Sequence, residues 1–322
     1  MNIVEMYNLN FGNCRAISND FSLIECENGI MIGVDKCSNV AIVLQSSSPK
    51  RFPIMQKTQN MSIECNMRVT YSLEGEEREG TVHIIRCLSS NPREKELFLE
   101  LVSVMLANGD YSEEAIMDTF NMLRTFFNNK NEVSDNELIG LFAELYTIQT
   151  FHQSLKIANY WQSRDRMKFD FSFTDRLKLE VKATTKNTRV HHFRHEQLVT
   201  ELFDIYVLSY MLRYDDEGLS LYDLMMNCKP LLCFDPRKLM KINTILKNVS
   251  EDRLKNMRFN REHLDSHAHF YRANDVPKFN ESTPSGVANA EYDCVFENVT
   301  WIEREDFVSA VRSAVAEGIS EE

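Results

Sequence analysis

The sequence lacks the features that assign a chain to several familiar classes. None of its eight cysteines belongs to a CxxC pair, which argues against a zinc knuckle or disulfides and predicts reduced, mostly buried thiols. It contains no internal repeat and no low-complexity tract. No segment resembles a signal peptide, and no apolar run reaches about 18 residues. We therefore expect a soluble, cytoplasmic protein with no membrane partner.

Length and composition indicate a globular chain of about two domains. The chain has 322 residues, of which 43% are hydrophobic, and roughly 150 residues per domain is a usual expectation. A polar, asparagine-rich run at residues 128–134 predicts the boundary. We assign residues 1–130 to a β-rich N-terminal domain that ends in helices, and residues 131–322 to a second domain.

Short alternating runs predict strands in the N-terminal domain, and two longer periodic runs predict helices. The strands are expected at residues 21–26, 30–34, 40–44, 61–71 and 81–88, and the helices at residues 92–107 and 112–127. No chemical motif occurs in this domain. Recognition of DNA, binding of a partner and covering of the second domain all stay open for it.

Two runs with strict alternation predict a β-hairpin in the second domain. In residues 168–173 three phenylalanines alternate with polar residues, and in residues 177–182 leucine and valine alternate with charges. This period of two predicts two strands, each with one apolar and one polar face. Opposed residues of an antiparallel pair share a face, so a three-residue loop at 174–176 is predicted, with Phe171 opposite Leu179.

The same register brings two acids together. It places Asp170 opposite Glu180, with Cβ atoms about 5 Å apart, and puts Lys182 one step further along the same face. Two opposed carboxylates repel each other unless a cation lies between them, and a hard divalent ion is the natural candidate. In the alternative interpretation, these charges only form ion pairs on a solvated sheet face. Direct opposition of like charges disfavours that alternative.

A helix that carries a third acid precedes the hairpin. Ser134 and Glu137 have the spacing of a capping box, which predicts a helix running to about residue 151. Its apolar stripe comprises Leu138, Leu141, Phe142, Leu145 and Ile148. Glu144 lies at the edge of this stripe, where its carboxylate can face the sheet on which the helix packs.

A helix with Glu144, a strand with Asp170 and a strand with Glu180-Val181-Lys182 follow one another along the chain. In this order and spacing, the sequence resembles the PD-(D/E)xK nuclease superfamily over about residues 134–212. It is similar in particular to restriction-endonuclease-like proteins of bacterial anti-phage defence loci. The proline that usually precedes the aspartate in the superfamily is replaced here by Phe169. Among the 16 lysines of the chain, only Lys182 completes a (D/E)-x-K tripeptide, so this motif occurs once in the sequence.

The resemblance implies an α+β or α/β fold with a restriction-endonuclease-like αβββαβ core. Strands at residues 188–193 and 204–212 and a short helix at 194–201 are expected to complete that core. It also implies a catalytic group made of Asp170, Glu180, Lys182 and Glu144. Mg²⁺ or Mn²⁺ is expected on Asp170, Glu180 and the carbonyl of Val181, because hard cations prefer oxygen ligands.

The charge distribution favours nucleic acid as the partner. The net charge of −12 alone would repel phosphate. Residues 164–195, however, hold nine basic and four acidic residues, a local excess of five positive charges, and the rest of the chain is correspondingly more acidic. The expected DNA-binding residues are Lys168, Lys178, Lys186, Arg189, His191 and Gln197. For His191 and Gln197 two non-functional roles stay open, a histidine on a strand face and a glutamine that faces solvent.

The remainder of the chain carries no strong chemical signal. Helices are expected at residues 219–228, 237–248, 251–259 and 305–317, a strand at 292–302 and a loop at 276–290. His263 and His267, as an i, i+4 pair, have metal-ligand spacing. No cysteine or acidic neighbour completes a zinc set, so we expect no zinc there.

These observations predict a Mg²⁺-dependent DNA endonuclease of the restriction or anti-phage type. The alternative is a catalytically inactive nuclease fold that serves as a DNA-binding or scaffolding subunit of a defence complex. Because a double-strand cut usually needs two active sites, a homodimer is a candidate assembly. A methyltransferase or an ATPase of the helicase type, encoded in the same locus, is a candidate partner.

Overall fold

The computed structural model describes residues 3–12, 19–26, 29–46, 52–128, 132–162, 168–199, 201–279 and 290–320. It contains two compact units, Met1–Asn131 and Glu132–Glu322. Arg164 and Arg166 of the predicted basic stretch lie outside the described residues, as does most of the predicted loop at 276–290. Among the described helices, none has both the length and the apolar content required to span a membrane.

The N-terminal unit is built mainly from β-strands. Its strands are β1 (Phe21–Glu25), β2 (Met31–Asp35), β3 (Val40–Gln45), β4 (Ile54–Lys57), β5 (Met61–Leu73) and β6 (Glu76–Cys87). Its helices are α1 (Ile3–Phe11), α2 (Pro92–Met105) and α3 (Glu113–Asn128). The five predicted strands are present, whereas α1 and β4 were not expected from the sequence.

Five of these strands close into a barrel. The sheet order is β1-β2-β3-β6-β5-β4, and β1 also pairs in parallel with the end of β5, where Phe21 lies opposite Tyr71. A ring of five strands cannot be antiparallel at every pairing, so one parallel pairing is required for closure. β5 pairs with β6 along most of its length, with β4 through its first residues and with β1 through its last residues. A register shift after Glu64, with Asn66 at a φ of 57°, bends β5 between these two parts. Buried side chains fill the interior, among them Phe21, Leu23, Val43, Tyr71 and Ile84.

The second unit mixes helices and strands. Its helices are α4 (Asp135–Leu155), α5 (Leu221–Leu232), α6 (Pro236–Asn248), α7 (Glu251–Asn256), α8 (Arg261–Ser266) and α9 (Arg304–Ser320). Its strands are β7 (Phe171–Ser172), β8 (Leu177–Thr184), β9 (Val190–Arg194), β10 (Asp204–Met211), β11 (Tyr214–Ser220), β12 (Arg258–Phe259), β13 (His269–Arg272) and β14 (Glu291–Val295). Short 3₁₀ turns occupy Ile157–Tyr160 and His195–Gln197.

A four-stranded mixed sheet lies at the centre of the second unit, in the order β13-β10-β8-β7. β8 and β10 are parallel, and the other two pairings are antiparallel. Helices α4 and α9 cover one face. There the hydroxyl of Tyr210 lies 3.2 Å from that of Thr147 on α4, and Phe307 of α9 contacts Tyr206.

The opposite face of this sheet is also buried. Ile205 and Val207, the alternate residues of β10, pack there with a cluster that includes Phe169, Phe193 and Phe296. Lys178 and Glu180 of β8 neighbour Ile205 and Val207 in the parallel register, and both are buried. The solvated face that the alternative interpretation assumes is therefore not found at Lys178 and Glu180, although Glu180 does form an ion pair with Lys182.

The predicted register of the hairpin is confirmed, but its first strand is shorter than predicted. Phe171 lies opposite Leu179, as the three-residue loop requires. Only Phe171–Ser172 forms a strand, and residues 168–170 form a bend. Because the bend interrupts the alternation, Phe169 packs with the Ile205 cluster and not beside Phe171 and Phe173. The prediction that all three phenylalanines share one face is wrong.

Other elements differ from the prediction where their partners are distant in sequence. Within the described residues, β9 pairs with β14 and not with the central sheet. The helix expected at 194–201 is only a single 3₁₀ turn among the described residues. The helix expected at 251–259 divides into α7 and β12, and the strand expected at 292–302 ends at Val295. β11, α8 and β13 were not predicted.

Candidate active site

Helix α4 carries Glu144 to the site. The predicted capping box is present, with Ser134 and Glu137 bonding each other's backbone N–H groups, and the predicted apolar stripe is buried. The Glu144 Oε2 atom accepts a hydrogen bond from the indole Nε1 of Trp161 at 2.7 Å and lies 2.8 Å from the Nζ atom of Lys241. Lys241, from α6, also lies over the Trp161 ring, 4.5 Å from its centre.

The bend before β7 directs Asp170 toward β8. Its Oδ2 atom accepts the backbone N–H of Val181 at 2.7 Å, and its backbone carbonyl accepts the N–H of Gln162. Burial, joined by the charges of Glu180 and Glu144, raises the pKa of the Asp170 carboxyl well above its usual range. The carboxylates of Asp170, Glu180 and Glu144 therefore lie within electrostatic reach of one another.

Glu180 and Lys182 project from the same side of β8. The Nζ atom of Lys182 lies 2.8 Å from Oε1 of Glu180 and 3.3 Å from Oε1 of Gln197. The Gln197 amide closes this triangle, because its Nε2 donates to Glu180 Oε1. The ammonium group of Lys182 also lies 4.7 Å from the centre of the Phe193 ring, a favourable contact for a cation.

The acids of this cluster are short of positive charge. Burial raises the pKa of Glu180 although Lys182 opposes the shift, and the buried Oε2 atom of Glu180 has no hydrogen-bond partner. An unpartnered carboxylate oxygen in the interior is costly. Beside Asp170, this oxygen provides the hard, anionic donor set that Mg²⁺ or Mn²⁺ prefers. The residues present therefore fit the ion that the sequence predicts.

Histidine and cysteine contribute no competing site. Among the residues that the structure describes, no group of three or more His, Cys, Asp or Glu side chains is arranged to hold a metal ion, and this includes Asp170, Glu180 and Glu144 together. The fit to an ion therefore rests on the two carboxylates of Asp170 and Glu180. The rings of His263 and His267 stack on each other with centres 4.0 Å apart. His267 Nδ1 lies 2.9 Å from the carbonyl oxygen of His263, so the two histidines contact each other at the end of α8.

Three residues predicted to bind DNA are buried and form hydrogen bonds within the protein instead. Lys178 donates to the carbonyl of Thr174 at 2.7 Å. Arg189 donates to the carbonyl of Ser209 at 2.8 Å, and His191 Nε2 lies 2.6 Å from the Ser209 hydroxyl. All three side chains are buried. The assignment of Lys178, Arg189 and His191 to a phosphate-binding surface is therefore corrected, since their polar groups are satisfied within the fold.

The other predicted binding residues lie nearer to solvent. Lys186 is exposed, just beyond the end of β8. Lys168 is exposed and forms an ion pair with Glu196 at 3.0 Å. Gln197 is half-buried and contacts Glu180 and Lys182 directly. The solvent-facing role left open for Gln197 is excluded by these contacts.

Two residues of the site were missed in the sequence. Trp161 and Lys241 both bond the Glu144 carboxylate, yet neither belongs to the helix–strand–strand motif. Lys241 lies far downstream on an amphipathic helix whose basic residues suggest nothing more than a solvated face. For Trp161 a weak signal exists, because it is one of only two tryptophans in the chain and lies a few residues after α4.

The second unit thus combines a mixed α and β fold with two acids and a lysine gathered beside β7 and β8, which is consistent with a nuclease-like fold. Residues 22–295 match a family model described as "Putative PD-(D/E)XK family member (DUF4420)". Because the match covers most of the chain, the chain belongs to this family. No curated protein and no solved structure gives a significant match.

Proposed function

We propose that the chain is a Mg²⁺- or Mn²⁺-dependent endonuclease that hydrolyses phosphodiester bonds of DNA in restriction or anti-phage defence. One observation carries the proposal. Half-buried Asp170 and Lys182 meet the buried Glu180, one oxygen of which lacks a partner. An unpartnered carboxylate oxygen in the interior is costly, and a divalent cation bound between Asp170 and Glu180 would satisfy it.

Asp170 and Glu180, with the Val181 carbonyl, would hold the ion. Such an ion supplies a Lewis acid that offsets charge on the phosphate and lowers the pKa of a bound water. Lys182 stands beside these acids, oriented by Glu180 and Gln197. Its Nζ atom would position the attacking water and give fixed positive charge to the oxyanion that develops on phosphorus.

The proposal also includes the core fold expected from the sequence. The parts of an αβββαβ core would be α4, β7, β8, the turn at His195–Gln197 and β10. DNA would approach over Lys168, Lys186 and the half-buried Gln197. A homodimer would provide the two active sites of a double-strand cut, and a methyltransferase or helicase-type ATPase from the same locus would direct it.

Cleavage of supercoiled plasmid tests the proposal. Wild-type protein, with its partners where these are known, is expected to nick modified or unmodified DNA in Mg²⁺ and to stop when a chelator is added. Lys182→Ala deletes the group that positions water. We expect its cleavage rate to fall by at least ~10³-fold, about 4 kcal/mol of barrier. DNA affinity should fall only modestly, because one charge of several is lost.

Arg176→Ala is the matched control. Arg176 is an exposed cation in the loop of the same hairpin, paired loosely with Asp204 at 3.7 Å, so its removal subtracts the same charge away from the acids. The control should cleave at close to the wild-type rate. Equal cleavage by wild type and Lys182→Ala would disprove the catalytic assignment. If wild type with its partners cuts no DNA, the chain is the inactive scaffold.

A further inference from the structure

The environment of Glu144 differs from that of the other two acids. Glu180 has an oxygen without a partner. Glu144, in contrast, has one oxygen, Oε2, that already receives two donors, the Trp161 indole at 2.7 Å and the Lys241 ammonium at 2.8 Å. A carboxylate oxygen has two lone pairs, so both lone pairs of this atom are engaged.

Both donors are fixed in place. Trp161 is only 1% exposed, and the buried N–H of a tryptophan needs an acceptor. Loss of the bond to Glu144 would leave that N–H unsatisfied. Lys241 lies over the face of the Trp161 ring, 4.5 Å from its centre, and its side chain is only about one-third exposed. The Trp161 indole therefore contacts both the Glu144 carboxylate, through its N–H, and the Lys241 ammonium group, through its ring face.

We propose that the ammonium group of Lys241 takes the place of a second metal ion at this site, so that the chain binds one divalent cation and not two. The inference rests on the proposed function and specifies its metal stoichiometry. Lys241 is assigned here as a positioning residue, because it acts through its ion pair with Glu144.

Charge compensation supports a single ion. An ion bound by Asp170 and Glu180 requires both carboxylates to be ionised. Together with Glu144, Lys182 and Lys241 they then carry one net negative charge before the charge of the ion is added. One divalent ion brings the cluster to one net positive charge, which a single phosphodiester anion balances. A second divalent ion would leave a strong excess of positive charge in a largely buried place, where uncompensated charge is unfavourable.

The prediction for the variants follows from the same count. Lys241→Met keeps an unbranched side chain over the Trp161 ring but removes its charge, so that Glu144 again needs a cation. Lys241→Arg keeps the charge and should behave as wild type. Lys255→Met is the control for a general loss of charge. Lys255 also pairs with a glutamate, Glu251 at 2.6 Å, and lies over an aromatic ring, that of Tyr222 at 4.9 Å.

Bound Mn²⁺ is counted on the full chain, without DNA, from the loss of the free-ion signal in electron paramagnetic resonance. Asp170→Asn should lose one ion relative to wild type. Lys241→Met should gain one, whereas Lys241→Arg and Lys255→Met should gain none. Thermal melting establishes that each variant is folded.

The outcomes separate the two proposals. If Asp170→Asn loses one ion but Lys241→Met gains none, the inference on Lys241 is wrong and the proposed metal site stands. Loss of two ions in Asp170→Asn overturns the single-ion stoichiometry directly, without reference to any Lys241 variant. If Asp170→Asn loses no ion, the proposed function fails and the inference fails with it.

Discussion

Gln197 shows how one neutral side chain can organise two charged ones. Its Nε2 donates to Glu180 while its Oε1 accepts from Lys182 at 3.3 Å. The same Oε1 accepts the backbone N–H of Arg194 at 3.0 Å, which anchors the amide to the 3₁₀ turn. An amide can serve both charges because it carries a donor and an acceptor on one planar group. No charged residue could do this without repelling one of them.

Replacement of Gln197 by alanine should therefore weaken both metal binding and cleavage. The variant leaves Glu180 and Lys182 in place but removes the group that fixes their orientation. Partners of this kind typically contribute 10–100-fold to metal affinity or activity, and we expect a loss of that order in each. Titration of Mn²⁺ and plasmid nicking measure the two effects separately.

Gln162→Ala is the appropriate control, because the Gln162 side chain bonds the carbonyl of Tyr160 and none of the acids. It should retain metal affinity and cleavage. If Gln197→Ala retains them too, the orientation of Glu180 and Lys182 is set by the strand alone.

Among the secondary-structure elements, the β9–β14 pair is attached to the central sheet in part by a buried polar contact. Arg189, which precedes β9, donates to the backbone carbonyl of Ser209 on β10. His191 Nε2 lies 2.6 Å from the hydroxyl of the same serine. Burial, with the nearby charges of Arg189 and Lys182, lowers the pKa of His191 to about 3. The imidazole is thus held neutral within the fold.

Acid should loosen this attachment. The ordinary pKa of histidine is 6.5 and the folded value is about 3, so the unfolded chain binds a proton that the folded chain excludes. The contribution of His191 to stability is complete above pH 6.5 and is lost as the pH falls below it, by up to about 1.4 kcal/mol per pH unit. His191→Gln keeps a polar partner for Ser209 and should melt with a weaker dependence on pH between 7 and 5.

His192 provides a control of opposite sign on the same strand. It is exposed, and its bonds to Asp293 and Glu291 raise its pKa. Its small contribution to stability is therefore present at low pH and lost as the pH rises. His192→Gln should make the protein slightly more sensitive to acid. Identical pH profiles for wild type and His191→Gln would show that His191 does not titrate on unfolding as described.

Features that depend on neighbouring residues could be predicted from the sequence. The capping box at Ser134 and Glu137 and the register of Phe171 opposite Leu179 follow from spacings within one helix or one hairpin. A single slip would move every side chain to the other face, so the alternation determines the register strongly. The register also predicts Asp170 opposite Glu180, but the pairing ends at Phe171, and Asp170 approaches β8 through the bend, where it accepts the N–H of Val181.

Features that depend on distant segments could not be predicted. β14 lies about a hundred residues after its partner β9 in sequence, and Lys241 reaches Glu144 from a helix with no distinguishing motif. The period-two rule also failed at Phe169, because it holds only while the chain is extended. Lys178 looked like a surface cation, and its burial results from Phe203 and the hairpin carbonyl that enclose it.

At the scale of the whole molecule, the metal-binding and catalytic residues of the proposal belong to one unit. Asp170, Glu180, Lys182, Glu144 and Lys241 all lie within Glu132–Glu322. Helix α4 begins close to the start of that unit with its own cap. Arg253 of α7 donates to the carbonyl of Val133 at 2.9 Å, so the beginning of the unit is attached to its own interior.

A fragment starting at Glu132 should therefore bind Mn²⁺ in the same number as the full chain. It is expected to lose targeting of DNA or assembly with partners, the roles left to the N-terminal unit. Metal titration of the fragment tests the first statement, and comparison of DNA affinity with the full chain tests the second. A fragment that is insoluble, or folded but without metal affinity, would show that the site depends on residues before 132.

Closure of the N-terminal barrel also bears on how this unit behaves at high concentration. Unpaired strand edges are templates on which other chains can add a strand, and a closed barrel removes them. Among the described strands of this unit, β4 alone has a neighbour on one side only. It is four residues long, follows Pro53 and ends in the exposed Lys57, which are the features that discourage edge-to-edge pairing. Among its described strands, the backbone of this unit therefore leaves only the short edge of β4 open to pairing with another chain.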